Sequence, residues 1–537
     1  MLPRTLPIWR WALWALLLGI LVLNVYRAGT QSLTVDEAFT YNSFVAPPAN
    51  EAFANYDANN HVLNTVLCRL SVWIFGVSEL TLRLPSLFGG AVYLLALLWL
   101  SQWLFGDGWR SIVSFVALAA NPIVLDYLSA ARGYSLGLGF EFLGVVLVLI
   151  RLSGDRPLQT RFLNGAIGVA LALSAAGNLV FVIPNLVLLL VFLILLGGSP
   201  SGLRRVCEIN GVTEPRPGGS DSTSGANSTF GVALPAGRGS VFVRSYMPST
   251  FASCTRPAMV EIAVSGLAVF GALMYIPLSH ADASSFYVGE ASFSRSAWIL
   301  LVRSFNYPSV FWARHLEFPI AIVTAPAILG SLLLLGIVIA SRKNPWPENR
   351  WRAMLVFPAT LTGSLAVLVV LHLRFGFPFP YERTGLYFIP LITLTILVAA
   401  ETGIKLRPLR IPGILLYACL CLAVAQYIAE LKVNCYQEWK SDAGTKRVVA
   451  LLASMNKTPE SQKRIGLSWE LEPSVSYYLK VFHVDWLQPV ARVDLRAGGF
   501  DYYYLTPDDK PLIVALKLSV LYVDPVGRSV LAAPSSH

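Results

Sequence analysis

Charged residues are scarce in this sequence: Asp, Glu, Lys and Arg make up 13% of its 537 residues, whereas 55% are hydrophobic. Soluble domains carry roughly 25% charged residues, so the composition excludes an ordinary soluble enzyme. Apolar runs close to the roughly 20 residues needed to cross a bilayer recur along most of the chain. The sequence therefore predicts an all-α, polytopic membrane protein.

Cysteine is also rare, with six residues in the whole chain. Their positions show no metal-ligand spacing and no framework of pairs. They are Cys68, Cys207, Cys254, Cys419, Cys421 and Cys435. Cysteine therefore indicates neither a zinc site nor a disulfide scaffold.

Eleven apolar runs are candidate transmembrane helices. They lie near 8–27, 84–104, 111–126, 134–150, 162–177, 179–197, 258–278, 319–340, 353–371, 385–400 and 411–430. The first run has Arg4 and Arg10 at its start, as a signal peptide would, but residues 24–27 offer no small-residue cleavage site. We expect this run to be a retained helix.

The basic residues of the short loops predict the orientation, because Lys and Arg resist translocation. With the N-terminus in the cytoplasm, Arg110 and the basic residues near 151–161, 342–352 and 405–410 all fall on the cytoplasmic side. The opposite face receives 28–83, 126–133, 279–318, 372–384 and everything after 431. The net charge of +10 thus follows largely from topology, and we expect no nucleic-acid partner.

Two segments depart from the transmembrane pattern and divide the chain. Residues 198–257 are rich in Gly, Ser, Thr, Pro and Arg, which predicts a disordered or inserted cytoplasmic loop. Residues 435–537 contain β-rich runs, among them "RIGLSWEL", "SVSYYLKVF", "DYYYLTP" and "SVLYVDP", which predict a small α/β or α+β domain on the outer face. The remaining parts are a catalytic transmembrane module at 1–197, including the outer loop 28–83, and a second transmembrane module at 258–430.

Ionisable residues cluster on the face opposite the basic loops. Asp36 and Glu37 follow the first run, and His61 lies later in the same loop. Arg132 and Tyr134 stand at the head of one later run, and Glu382 and Arg383 at the head of another. Charges at or within membrane spans are costly unless they are paired or serve a site.

Each of these residues also has a structural interpretation. Carboxylates and histidine at a membrane boundary can serve interface solvation alone, arginines near helix ends can act as interface anchors, and Glu382 and Arg383 can pair with other loop residues. Glu79 and Arg83 are four apart on a predicted helix, which favours a structural ion pair.

A carboxylate beside two arginines suits transfer from a phosphate-linked donor. The carboxylate can take a proton from an attacking hydroxyl while the arginines hold the departing phosphate. A divalent cation bridging Asp36 or Glu37 to that phosphate fits the oxygen preference of hard cations, and the sequence leaves a metal requirement open. It indicates no other cofactor.

Three segments in order, "DEAFTY", "NNHVLNTVLCRLSVWIFGVSELTLRLPSLFGG" and "NPIVLDYLSAARGYSLGLGFEFLG", resemble the C-type (GT-C) glycosyltransferases. This family of integral membrane enzymes uses polyprenyl-phosphate sugars, and the sequence is most similar to its bacterial dolichyl-phosphate-mannose-protein mannosyltransferase-like and aminoarabinose-transferase members. The resemblance covers about 1–200 and 258–430, and the tail shows a weaker similarity.

The resemblance implies roles by position. Asp36 matches the family's first-loop acidic residue, the catalytic base or metal-linked acid, and Glu37 is its neighbour. His61, Arg132, Tyr134, Glu382 and Arg383 match substrate-binding positions, with the two arginines at the donor phosphate. The prolines that follow the histidine in relatives are absent here. Ala130 and Ala131 stand where relatives often have a glutamate, so a second acidic group must come from elsewhere, with Asp126 a candidate, or is missing.

The resulting expectation is an inverting membrane glycosyltransferase that moves a mannose-like or other sugar from a polyprenyl-phosphate donor to a hydroxyl of a protein, lipid or glycan. The family branch implies a bacterial plasma membrane with the active site facing the periplasm. Two alternatives remain open: a transporter or flippase for a lipid-linked or anionic solute, although no internal repeat is visible, and a catalytically inactive relative.

Overall fold

A computed structural model gives the fold and describes residues 8–53, 57–153, 157–197, 239–281, 289–304, 311–455, 461–490 and 493–535. Within these ranges nine helices are long and apolar enough to cross a membrane, or ten if a pair bent by 66° counts as one span. Ten of the eleven apolar runs lie on these helices. The other run, 162–177, lies in a 21-residue helix whose first turns carry polar residues such as Arg161 and Asn164.

The first half of the chain alternates spans with short helices in the connecting loops. Its helices are α1 (Ile8–Thr30), α2 (Val35–Thr40), α3 (Ala49–Ala52), α4 (Val62–Phe75), α5 (Glu79–Phe105), α6 (Trp109–Ala119), α7 (Pro122–Ser129), α8 (Tyr134–Ser153), α9 (Pro157–Gly177) and α10 (Val182–Gly197). The bent pair is α6 with α7. Asn121 caps α7 and Pro122 occupies its first position, so a new helix starts at the break.

The second half begins with the 41-residue helix α11 (Gly239–Ser279). It continues with α12 (Phe293–Arg303), α13 (Phe311–Ser341), α14 (Glu348–Met354), α15 (Val356–Phe375), α16 (Phe388–Lys405) and α17 (Arg410–Glu430). Residues 239–257 are helical although their composition predicted a loop, because scattered Pro, Ser and Arg hide the helical period there. Residues 198–238 lie outside the described part of the chain.

Among the transmembrane helices, α8 packs between α5 and α9, α9 packs against α11, and α10 packs against α15. Glycines allow the contact between α9 and α11 to be close. A Cβ built on Gly168 of α9 would lie 2.3 Å from the carbonyl oxygen of Ile262, and one on Gly266 would lie 3.1 Å from that of Gly168. Small residues at helix crossings are the usual means of close packing in membranes.

The tail folds into a five-stranded mixed sheet with the order β2-β1-β3-β5-β4. The strands are β1 (Lys463–Leu467), β2 (Leu487–Val490), β3 (Tyr502–Leu505), β4 (Leu518–Val523) and β5 (Val530–Pro534). β1 is parallel to β2 and β3, whereas β5 is antiparallel to β3 and β4. The helices are α18 (Thr445–Met455), α19 (Glu472–Val481) and α20 (Pro511–Ala515), so the expected α+β character is confirmed.

One β-rich run in the tail was interpreted wrongly. "SVSYYLKVF" forms most of helix α19 rather than a strand. Pro473 stands at the start of the helix, where its missing N–H costs nothing. Val475, Tyr478 and Leu479 then recur at helical spacing and are buried together. Tertiary burial therefore overrides the β preference of these aromatic and branched residues.

The sheet and the first outer loop share one hydrophobic core. On one face of the sheet, Ile465 and Tyr504 pack with α18 and α19. The same cluster contains Leu33 and Ala38 of the first loop and Leu82 of α5. The tail is therefore packed directly on the segment that carries Asp36.

Candidate active site

Glu37 fixes the short helix that carries Asp36. α2 opens with a capping box, in which the Glu37 backbone N–H donates to Thr34 and the Thr34 N–H donates to the Glu37 carboxylate at 2.9 Å. Arg83 of α5 binds the same carboxylate with two parallel hydrogen bonds of 2.8 and 2.7 Å, and the Ala131 N–H donates to it as well. Burial raises the pKa of Glu37, but Arg83 and these hydrogen bonds bring it below its ordinary value.

All N–H donors of the Arg83 guanidinium are hydrogen-bonded. Besides Glu37 it donates to the carbonyls of Ala28, Gln31 and Ser32 at 2.8–3.0 Å. Its expected pairing with Glu79 was wrong, because Glu79 binds Lys446 of the tail at 2.7 Å. Arg83 and Glu37, both buried, thus tie the end of α1 to α2 and to the turn before α8. This geometry favours a structural role for Glu37 over the predicted catalytic one.

Three of the predicted residues come together beside the Glu37–Arg83 pair. Arg383 Nη1 donates to Asp36 Oδ2 at 2.6 Å, and Arg132 Nη2 lies 3.9 Å from the same oxygen. Arg383 and Arg132 are 347 and 96 positions from Asp36 in the chain. The loops that the topology placed on one face therefore do meet.

Arg132 is held rigidly at this meeting point. Its guanidinium donates to the Asp36 carbonyl at 3.2 Å, to Thr40 at 3.1 Å and to the Asn59 side chain at 3.1 Å. The side chain is 1% exposed. The turn that carries it is tight: a Cβ on Gly133 would lie 1.9 Å from the Gly177 carbonyl oxygen, so only glycine fits.

Arg383 and Glu382 share a 3-10 turn before α16 but point to different partners. Glu382 has a φ of +46° and binds Arg303 at 2.8 Å. The loop pairing considered for Glu382 is therefore observed, while Arg383 turns toward Asp36.

Both arginines also line a cavity of about 370 Å³. Arg132 and Arg383 line one end together with His61, Tyr134 and Asn59. Asn178 and Thr384 also line it, but most of the remaining wall is apolar. The apolar residues come mainly from the turn before α10, the start of α10 and the end of α15: Leu179, Val180, Val182, Ile183, Leu368 and Leu371. Two cations thus stand at the mouth of an apolar pocket between transmembrane helices.

His61 and Tyr134 belong to this wall. Their rings meet edge to face with centroids 5.3 Å apart. His61 is 4% exposed, and its Nε2 has no hydrogen-bond partner among the described residues. Burial lowers the pKa of His61 well below its ordinary value, and the charges of Arg132 and Arg383 lower it further. The surroundings of His61 thus favour its neutral ring, and the residue lines the cavity.

The second carboxylate of the site is Glu438, which sequence reasoning missed. Its Oε2 accepts a hydrogen bond from Tyr127 at 2.8 Å, and its Oε1 lies 3.4 Å from Arg383 Nη1. Asp126, the candidate considered for this role, instead pairs with Arg27 and accepts from the Gln437 N–H. Glu438 lies in "CYQEWK", which follows the last span, and its place on the same outer face is the one sequence feature that points to it.

The two carboxylates have pKa values pushed in opposite directions. Burial raises the pKa of Asp36, but Arg132, Arg383 and a hydrogen bond from Trp439 bring it below its ordinary value. Burial also raises the pKa of Glu438, and there the opposing effects of Arg383 and Tyr127 do not cancel the rise. Divergent pKa values in a carboxylate pair are typical of acid–base chemistry.

The described residues offer no preformed protein cage for a divalent cation. Among the described residues, no group of three or more His, Cys, Asp or Glu side chains lies close enough to hold a metal ion. One carboxylate oxygen of Asp36, Oδ2, is bound to Arg383, and a second guanidinium flanks it.

No family model matches the sequence, and no curated protein is significantly similar to it. Solved structures do match over nearly the whole chain. One is ArnT from Cupriavidus metallidurans bound to undecaprenyl phosphate, with 13% identity, a TM-score of 0.47, and 97% of this chain and 98% of that chain covered. Another is AglB, the oligosaccharyltransferase of Archaeoglobus fulgidus, in complex with an inhibitory peptide and a dolichol-phosphate, with 12% identity, a TM-score of 0.39, and coverage of 97% and 74%.

Both are C-type glycosyltransferases. Similarity at this level carries no information on the donor or the acceptor.

Proposed function

We propose that this protein is a membrane glycosyltransferase that transfers a sugar from a polyprenyl-phosphate donor to a hydroxyl of a protein, lipid or glycan, with inversion. One observation carries the proposal: two converging arginines stand at the polar end of an apolar cavity between transmembrane helices. A ligand that fills this cavity must combine an anionic head with a hydrocarbon chain. Polyprenyl phosphate has this chemistry.

The arginines suit a phosphate because their forked donors match its oxygens and keep their charge at all working pH values. Arg132 is fixed by three hydrogen bonds, so it loses little freedom when a ligand binds. The apolar wall from α10 and α15 would take the first isoprene units, and the remainder of the chain would lie in the bilayer.

Displacement at the anomeric carbon needs only a few groups. An acceptor oxygen forms a bond to that carbon, while the bond from the carbon to the phosphate oxygen breaks and its electron pair leaves with the lipid phosphate. Arg132 and Arg383 stabilise the charge that develops there. A carboxylate of the site takes the acceptor proton, and no covalent intermediate is required, so the configuration inverts. The charges all lie on the face opposite the basic loops, which supports an active site on the periplasmic side of a bacterial plasma membrane.

The experiment is transfer of radiolabelled mannose, glucose and arabinose from their polyprenyl phosphates onto membrane extracts. Wild type is compared with Asp36→Asn, both purified and with equal thermal unfolding curves. We expect wild type to transfer one of these sugars and Asp36→Asn to lose at least about 100-fold in rate, because the arginines lose their carboxylate. Equal transfer by both proteins would contradict the site.

A further inference from the structure

Asp36 is poorly placed to take a proton. Its Oδ2 binds Arg383 at 2.6 Å and faces Arg132 at 3.9 Å, and the Trp439 side chain also donates to the carboxylate. Protonation of a carboxylate so surrounded would remove both ion pairs. The same contacts make Asp36 well suited to aim two guanidinium groups at a common point.

Glu438 is in a different situation. Tyr127 occupies its Oε2, but the contact between its Oε1 and Arg383 is long, at 3.4 Å, which leaves acceptor capacity on that oxygen. The side chains of Glu438 and Asp36 are 15% and 19% exposed, so the difference between them lies in their contacts. Neither lines the apolar cavity, but Arg383, which contacts both, does.

We infer that Glu438 is the general base of the transfer, and that Asp36 is a positioning residue for Arg132 and Arg383. The inference rests on the proposed function and refines it. The acceptor O–H bond breaks, its proton goes to Glu438 Oε1, and its oxygen bonds to the anomeric carbon as the lipid phosphate departs. Tyr127 holds the other carboxylate oxygen and so fixes the direction of Oε1.

The charged surroundings of Glu438 agree with this assignment. The groups that face it are Tyr127 from α7, Arg383 and Glu382 from the turn before α16, and Asp36 from α2. Burial raises the pKa of Glu438, and the charges of Glu382 and Asp36 add to the rise against Arg383 and the Tyr127 hydrogen bond. A base works best when its pKa approaches the working pH.

The midpoint of the pH dependence separates the two carboxylates. A base must be ionised, so the rate falls as pH drops through its pKa. If Glu438 is the base, the acid limb of kcat/KM, which reports the free enzyme, has its midpoint above the ordinary glutamate value of 4.5. If Asp36 is the base, the midpoint lies below 3.8.

The experiment measures kcat, KM and the affinity for undecaprenyl phosphate between about pH 3 and 8 in nanodiscs, with the donor that wild type uses. We expect Glu438→Gln to lose about 100-fold or more in kcat, to bind undecaprenyl phosphate within about twofold of wild type, and to show no acid limb in its residual activity. Asp36→Asn should be slow yet keep the wild-type limb.

Tyr127→Phe provides a second test that leaves the carboxylate in place. It removes a hydrogen bond that lowers the pKa of Glu438, so the acid limb should move to higher pH. An unchanged limb in Tyr127→Phe, or an acid limb that Glu438→Gln keeps and Asp36→Asn loses, overturns the inference while the proposed function stands. Failure of wild type to bind undecaprenyl phosphate overturns both.

Discussion

At the residue scale, two adjacent carboxylates of one short helix have separate tasks. Asp36 faces the arginines of the site, whereas Glu37, about 100° further round the helix, faces Arg83. The sequence located Asp36, Arg132 and Arg383 on one face because their positions relative to the spans are visible in the hydropathy. The sequence could not give the partner of Glu37. Arg83 lies 46 residues from Glu37, and other acidic residues are nearer to Arg83 in the sequence.

Removal of Glu37 should be severely destabilising. Glu37→Ala leaves the fully buried guanidinium of Arg83 without a counter-charge, which costs about 3–5 kcal/mol. The matched control is Glu348→Ala, which breaks an exposed pair with Arg352 at 2.7 Å and should cost about 0.5 kcal/mol or less. Thermal unfolding in detergent measures both effects. Similar curves for the two variants would show that the Glu37–Arg83 pair contributes little to stability.

At the element scale, the site depends on a tight turn and on a domain that the hydropathy does not connect to it. Arg132 and Tyr134 flank Gly133, whose backbone touches the end of α9. The tail holds α2 from the other side: the Val35 N–H donates to Asp442 at 2.8 Å and the Leu33 N–H donates to Tyr478 at 2.7 Å. Strand and helix signals predicted the existence of the outer domain, but these two contacts span 407 and 445 residues, beyond any local pattern.

Gly133→Ala should disable the site without unfolding the membrane helices. The new methyl group would collide with the Gly177 carbonyl and with the His61 side chain, so the turn must move and carry Arg132 with it. Gly165→Ala, which adds a methyl into open space in α9, is the matched control and should keep full affinity for undecaprenyl phosphate. We expect at least about a tenfold loss of that affinity in Gly133→Ala, since a misplaced Arg132 forfeits a charge-assisted hydrogen bond. An equal affinity in both variants would contradict the geometry of the turn.

Asp442 should make the stability of the outer face depend on pH. Burial raises the pKa of Asp442 to about 7, against an ordinary value of 3.8. Because the folded state favours the protonated form, the stabilisation is fully present below about pH 4 and is lost as pH rises through about 7. The amide in the Asp442→Asn variant cannot ionise, so the melting temperature of wild type should fall relative to that of the variant between about pH 5 and 8. Parallel changes in melting temperature over this range would show that the carboxylate is not buried in this way.

At the scale of the whole molecule, the distribution of basic loops predicted which segments would assemble. Segments after α1, before α8, before α16 and after α17 were assigned to one face, and they supply Asp36, Arg132, Arg383 and Glu438 to one site. Composition and span length thus gave the architecture. They did not give Glu438, because a single glutamate after the last span has no periodic or spacing signal.

The proposed function requires that the arginine-lined cavity binds a polyprenyl phosphate. The most direct measurement is the affinity of purified protein in nanodiscs for undecaprenyl phosphate and for undecaprenol, which lacks the phosphate, in wild type and in the Arg132→Gln/Arg383→Gln double variant. We predict that wild type prefers the phosphate at least about tenfold, since a charge-assisted hydrogen bond contributes about 1.5–3 kcal/mol, and that the double variant binds both lipids equally weakly. Equal affinity of wild type for the two lipids, or an unchanged preference in the double variant, would contradict phosphate binding by Arg132 and Arg383.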